Sequence, residues 1–264
     1  MKKIVAFILA IVMITCSVTL TSCMRGRGNG NKNSDIDVKQ TIKDSSDKMD
    51  TLNTCSGTSN MTIDIKSQGV TMTIEMDYLV KMADLQTNNP KRYADVTIVS
   101  VGQSETGVIY SEGEWDYVVT GNEKYKTRVD DDDDKDVTEY VDSVYEKATV
   151  KETNKGTEIK MTFTDSQLRE YFSSTYEAVI EMFELLDYES YATVTSAYLK
   201  LIINDDGYVS EEEINFKFRF DVEGETVEIY ATHRGTYEKY NEPVTITPPQ
   251  GYLSFMEKID GDII

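Results

Sequence analysis

The chain is short of histidine, of cysteine in its main body, of positive charge and of long apolar runs. Its one histidine, His233, has no serine or cysteine nucleophile on a recognisable elbow, so no hydrolytic triad can be assembled around it. A hydrogen-bonded sheet residue is the expectation there. Of three cysteines, Cys16 and Cys23 fall in the first 23 residues, which leaves Cys55 alone in the body. No internal disulfide can form, and the fold must rest on its core. No adjacent basic residue lowers the Cys55 thiol pKa, so a buried small residue is expected rather than a reactive one. Lysine and arginine number 27 against 47 acids, a net charge of −20. That balance argues against nucleic acid as a partner and keeps the body off an anionic membrane except through an N-terminal tether. Residues 4–14 are apolar without interruption, but the run weakens through Thr15, Cys16, Ser17 and Thr19. It falls short of the roughly 20 residues that a stable membrane span needs.

What stands at that end is a short positive region, Lys2-Lys3, followed by the apolar segment and then Leu20-Thr21-Ser22-Cys23. This is the layout of a secretory signal, and its ending resembles the lipobox of bacterial lipoproteins. The resemblance implies diacylglycerol on the Cys23 thiol and cleavage before it, because a thioether requires the sulfur and the peptidase requires small residues on its other side. Two acyl chains hold such a protein at the membrane, at about 0.8 kcal/mol per buried CH₂. Residues 1–22 are therefore expected to be a signal peptide, with the mature chain lipid-anchored on the extracytoplasmic face. Cleavage removes two lysines and no acid, leaving a net charge of −22. Residues 23–35 read as the lipidated cysteine and a flexible Gly/Asn-rich tether, which places the body within about 20 Å of the bilayer. Arg25 and Arg27 either touch headgroups, at about 1 kcal/mol each, or keep the tether soluble. Residues 36–264 read as one domain.

Within that domain, residues 36–53 carry Ile36, Ile42, Met49 and Leu52 on one side of a predicted helix. The period then changes to two. Met61, Ile63 and Ile65 form one run; Val70, Met72, Ile74, Met76 and Tyr78 another, with Gln68-Gly69 as the hairpin turn. Ala94–Ile98, Val108–Tyr110 and Trp115–Val119 continue the antiparallel pattern. After Asp130–Asp136 come a weak helix over 137–146, strands at 148–152 and 158–163, and an amphipathic helix from Thr164 to Leu186 with a Thr164/Gln167 capping box. Four long strands close the chain: Ala197–Ile203, Ile214–Phe220, Val227–Ala231 and Val244–Ile246.

Each of these strand runs offers one dry face, and only two or three helices are available to cover them. The fold class expected is α+β: a strongly curved antiparallel β half-barrel with helices covering its concave face. An apolar concavity is a typical ligand site. Met72, Ile74, Met76, Leu199, Leu201, Phe216, Phe218 and Phe220 are the candidate lining residues. The same residues equally suit an interior filled by its own side chains.

The order of lipobox, tether, helix, antiparallel strands, interrupting helical segment and final meander resembles the LolA/LppX-like superfamily of lipoprotein carriers, and more narrowly the Gram-positive lipoproteins with that fold. The likeness is carried by the Asn204–Gly207 turn and the ending Val244-Thr-Ile-Thr-Pro-Pro249. It implies a cavity that binds acyl chains or a partner's lipidated end, and no catalytic residues. The dense acids Glu211–Glu213 and the chain's own anchor depart from a diffusing shuttle. No enzyme activity, cofactor or metal is expected. Asp130–Asp134 cannot all turn to one Ca²⁺, and Asn204–Gly207 is flanked by strands where an EF-hand needs helices. Trp115 and the tyrosines mark sheet packing or, if exposed, a carbohydrate platform. Two functions remain: binding of a lipid or other amphiphile in the half-barrel, or non-catalytic assembly, sensing or interaction with an envelope protein, with the barrel filled.

Overall fold

The computed structural model describes residues 36–128, 142–167, 193–222 and 225–258. The signal segment, Cys23 and its tether, Asp130–Asp136 and the predicted helix beyond Gln167 lie outside these residues. Twelve strands are found among them: β1 (Cys55–Ser67), β2 (Val70–Ala83), β3 (Lys91–Ser100), β4 (Gln103–Glu112), β5 (Trp115–Thr120), β6 (Glu123–Arg128), β7 (Thr149–Thr153), β8 (Gly156–Phe163), β9 (Thr193–Ile203), β10 (Val209–Val222), β11 (Glu225–Glu238) and β12 (Met256–Glu257). Two helices accompany them, α1 (Val38–Met49) and α2 (Asp142–Glu146). The structure is thus mostly antiparallel sheet with few helices, and its strand order does not close. The described residues divide into two compact units, one made of 36–50, 63–71, 142–167, 193–222 and 225–232 and the other of 51–62, 72–128 and 233–258.

In the first unit the strands follow the order β1-β11-β10-β9-β8-β7. Registry across β8, β9 and β10 builds apolar rows on one face: Met161–Leu199–Ile214 and Phe163–Ala197–Phe216. All six residues are buried. Helix α1 starts where Asp37 Oδ1 accepts the Gln40 N–H at 3.1 Å, a side-chain cap for an otherwise orphaned donor. It is shorter than the predicted 36–53 and buries Ile42 and Ser45, packing on β10 and α2. The predicted capping box is present: Thr164 N–H donates to Gln167 Oε1 at 2.9 Å, and Gln167 N–H to Thr164 Oγ1 at 3.4 Å. The Asn204–Gly207 turn joins β9 to β10, with Gly207 N–H on Asn204 O at 2.8 Å. It is a hairpin turn between strands, as its Asp-Gly pair requires.

In the second unit the order is β12-β6-β5-β4-β3-β2-β1, all antiparallel except the β12–β6 pair. One face carries the row Val80–Ala94–Ile109–Val118–Tyr125. The other carries Tyr93–Tyr110–Tyr117–Lys126. Both central turn residues of the β3–β4 hairpin are left-handed, Val101 at φ 49° and Gly102 at φ 73°. A β-branched residue there is strained, yet the turn matches the twist of its strands.

Two expectations change here. Residues 244–246 form no strand; Pro243, Pro248 and Pro249 remove donors from that segment, and proline is not accommodated within a ladder. The segment becomes a strap over 243–258 instead. Its Ile246, Tyr252 and Phe255 pack on Tyr110 and Tyr117. Conversely β6, with the sequence Glu-Lys-Tyr-Lys-Thr-Arg, is a strand that hydrophobic alternation does not reveal, since Tyr125 is its one apolar residue.

Candidate functional site

Seven of the eight candidate lining residues are buried, and they divide between the two units. In the first, Leu199 and Leu201 lie on β9, and Phe216, Phe218 and Phe220 on β10. Ring centroids of Phe216 and Phe218 stand 6.1 Å apart, and those of Phe218 and Phe220 6.5 Å. Alternation along an extended strand puts every second side chain on one face, so the three phenylalanines form a continuous aromatic strip. Phe218 is wholly buried and Phe220 nearly so. The row Ile159–Leu201–Glu212 ends in a buried carboxylate. Its neighbours Glu211 and Glu213 face outward, where Lys155 meets Glu211 at 2.5 Å and Lys200 meets Glu213 at 2.9 Å. The acidic triplet is therefore one inward group and two paired outward ones.

In the second unit Ile74 and Met76 are buried on β2, whereas Met72, nearer the strand's start, is 37% exposed. This β2 group does not join the β9–β10 group within one unit.

His233 points inward, in phase with Ile229 and Ala231, as expected from its sequence position. Its Nε2 is hydrogen-bonded to the Ser59 hydroxyl of β1. Burial pushes the imidazole pKa down to about 4, so it is neutral near pH 7. Ser59 escaped sequence reasoning, although it lies in phase with Met61 and Ile63. The pair is a hydroxyl–imidazole contact inside a sheet. Cys55, on the same strand face, is fully buried, and burial raises its thiol to about 11. That is the inert cysteine the sequence pointed to.

Tyrosines on the outward faces are engaged with cations. Lys160 Nζ lies 3.6 Å from the Tyr198 ring centroid, and Lys66 and Lys217 stand 4.4 and 4.7 Å from that of Tyr230. Trp115 carries Lys126 at 4.0 Å and Arg128 at 5.4 Å. A carbohydrate platform stacks sugars on free ring faces, so these contacts favour sheet packing. Among the described residues no group of three or more His, Cys, Asp or Glu side chains is placed to hold a metal ion, and no helix is long and apolar enough to cross a membrane.

No family model and no curated protein matches the chain. Among solved structures it is similar to LprF from Mycobacterium bovis, at 12% identity over 80% of this chain and 96% of LprF, with a TM-score of 0.38. It is also similar to a DUF1329 family protein from Desulfovibrio piger, at 10% identity over 80% of this chain and 95% of that one, with a TM-score of 0.28. Likeness at this level leaves function to be argued from the chain's own residues.

Proposed function

We propose that this protein is a lipid-anchored, non-catalytic envelope protein whose apolar sheet face binds an acyl chain or similar amphiphile in a half-barrel. The observation that carries the reading is the aromatic strip Phe216–Phe218–Phe220, continued by Leu199 and Leu201 on the paired strand. An unbranched chain lying along such a strip gains about 0.8 kcal/mol per CH₂ removed from water. The lipobox at Cys23 and the tether support residence at the membrane, where such ligands are abundant.

The near-complete burial of Phe218 and Phe220 favours a second reading, a filled interior with protein partners outside. Native mass spectrometry of the mature protein, followed by organic extraction, separates the two. A co-purifying amphiphile that is lost in a folded Phe216→Ala/Phe218→Ala variant supports the binding protein. A clean apo mass that also refuses fluorescent fatty-acid probes rules it out and leaves the filled interior.

A further inference from the structure

One face of the second unit changes character at its end. Registry sets Met82 beside Arg92, Arg92 beside Ser111, Ser111 beside Asp116 and Asp116 beside Thr127, across β2 to β6. This row lies two residues along each strand from Val80–Ala94–Ile109–Val118–Tyr125, so the pleat puts both rows on one face. Met82, Ala94, Ile109 and Val118 are buried, whereas Arg92, Ser111, Asp116 and Thr127 are half-buried. A polar row thus borders an apolar one.

The row carries one charge of each sign. Strand β4 separates Arg92 from Asp116, so their backbones stand about 10 Å apart at the usual strand spacing, with Ser111 between them. Along β2–β6 the other charged residues of this face, Glu105 and Glu123, are exposed and lie towards its far end. Lys91, Glu112 and Arg128 belong to the adjoining row on the opposite face. Loss of water around Asp116 holds its carboxyl above the ordinary carboxylate range, although the Ser111 hydroxyl and the Arg92 charge draw it down. The acid is therefore only partly compensated by its own neighbours, a state common where a carboxylate serves a ligand.

We propose that this row recognises a phosphoethanolamine headgroup, with the Arg92 guanidinium on the phosphate and the Asp116 carboxylate on the primary ammonium. It rests on the reading that the protein binds an amphiphile, and it names the headgroup. The planar guanidinium fork matches phosphate oxygens, and the hydroxyls of Ser111 and Thr127 lie in the same row. An ammonium supplies Asp116 with the charge-assisted donors that its own surroundings provide only in part. The two protein charges cancel, which suits a headgroup of zero net charge. A phosphoglycerol or a fatty-acid carboxylate would meet Arg92 but be repelled by Asp116. A few polar groups at the border of an apolar surface are the ordinary make-up of such a site.

Native mass spectrometry of the full-length protein, purified from its membrane in detergent, reads the choice of headgroup directly. The protein is challenged with phosphatidylethanolamine, phosphatidylcholine or phosphatidylglycerol of identical acyl chains. Phosphatidylethanolamine should occupy it several-fold more than either other lipid. Phosphatidylcholine lacks the N–H donors for Asp116, and phosphatidylglycerol lacks the cation. Asp116→Asn should abolish the preference over phosphatidylglycerol. Arg92→Gln should weaken all three lipids several-fold, with Arg92→Lys restoring part of the loss. The selectivity of the wild type needs no variant, so a substitution that fails to fold leaves the test intact. Equal occupancy by phosphatidylethanolamine and phosphatidylglycerol, or a preference that folded Asp116→Asn keeps, overturns the proposal while amphiphile binding stands. Refusal of all three lipids overturns it too; if fluorescent fatty acids are also refused, the amphiphile reading falls with it.

Discussion

His233 shows how a single buried side chain couples this sheet to pH. Its imidazole titrates at about 4 in the folded chain against about 6.5 in an unfolded one. Between those values the unfolded state binds the extra proton, so stability rises with pH across that window. The contribution is fully present above pH 6.5 and is lost as pH falls towards 4, for a difference on the order of 3 kcal/mol. Many carboxylates titrate in the same region, so the effect is read by difference. Denaturant midpoints of the wild type and His233→Gln, compared at pH 7 and pH 4.5, should converge at the lower pH. A constant gap between the two proteins would mean that folding does not shift the His233 pKa. The neighbouring glycine, Gly57, is held by packing: a Cβ there would lie 2.3 Å from the Thr236 carbonyl oxygen. At Gly57 the backbones of β1 and β11 therefore approach too closely for any side chain.

At the scale of elements the strap is the feature with the clearest energetic signature. Phe255 is 8% exposed against Tyr117, and truncating a buried phenylalanine typically costs about 3–5 kcal/mol. Phe255→Ala should lower the unfolding midpoint and, in hydrogen exchange, release β6 and β12 before β2 and β3. Tyr252→Phe removes only the hydroxyl that donates to Glu112 Oε2 at 2.9 Å, a loss of about 1 kcal/mol. If Phe255→Ala exchanges uniformly, the strap is not a separate cooperative element. The strap also marks where sequence reading stops. Hairpins such as Gln68-Gly69, with φ of 50° and 78°, are legible because local chemistry selects the turn. The inward phase of Phe216, Phe218 and Phe220 is legible because period two is enforced by the pleat. The segment after Pro243 alternates just as well, yet proline denies it a ladder and tertiary packing on tyrosines captures it. Strand β6 is the converse case, a polar sequence held by its partner strand and by Lys126 on Trp115. Ser59 beside His233 is a pairing between distant strands, which no local pattern encodes.

For the whole molecule the governing quantity is charge. A net −20 produces self-repulsion that opposes compaction, while the ion pairs that offset it are surface contacts such as Lys155–Glu211 and Lys91–Asp84. Exposed pairs contribute about 0–1 kcal/mol each and are themselves screened by salt. The two effects have opposite signs. Raising ionic strength from about 0.01 M to 1 M shortens the Debye length from about 30 Å to 3 Å. Repulsion among many like charges acts over the longer of these distances, whereas a paired lysine and glutamate in contact is screened far less. Added NaCl should therefore raise the thermal midpoint of this protein, with most of the gain below physiological salt. A midpoint that falls with salt would show that the ion pairs outweigh the repulsion, as in a body whose acids are mostly neutralised locally.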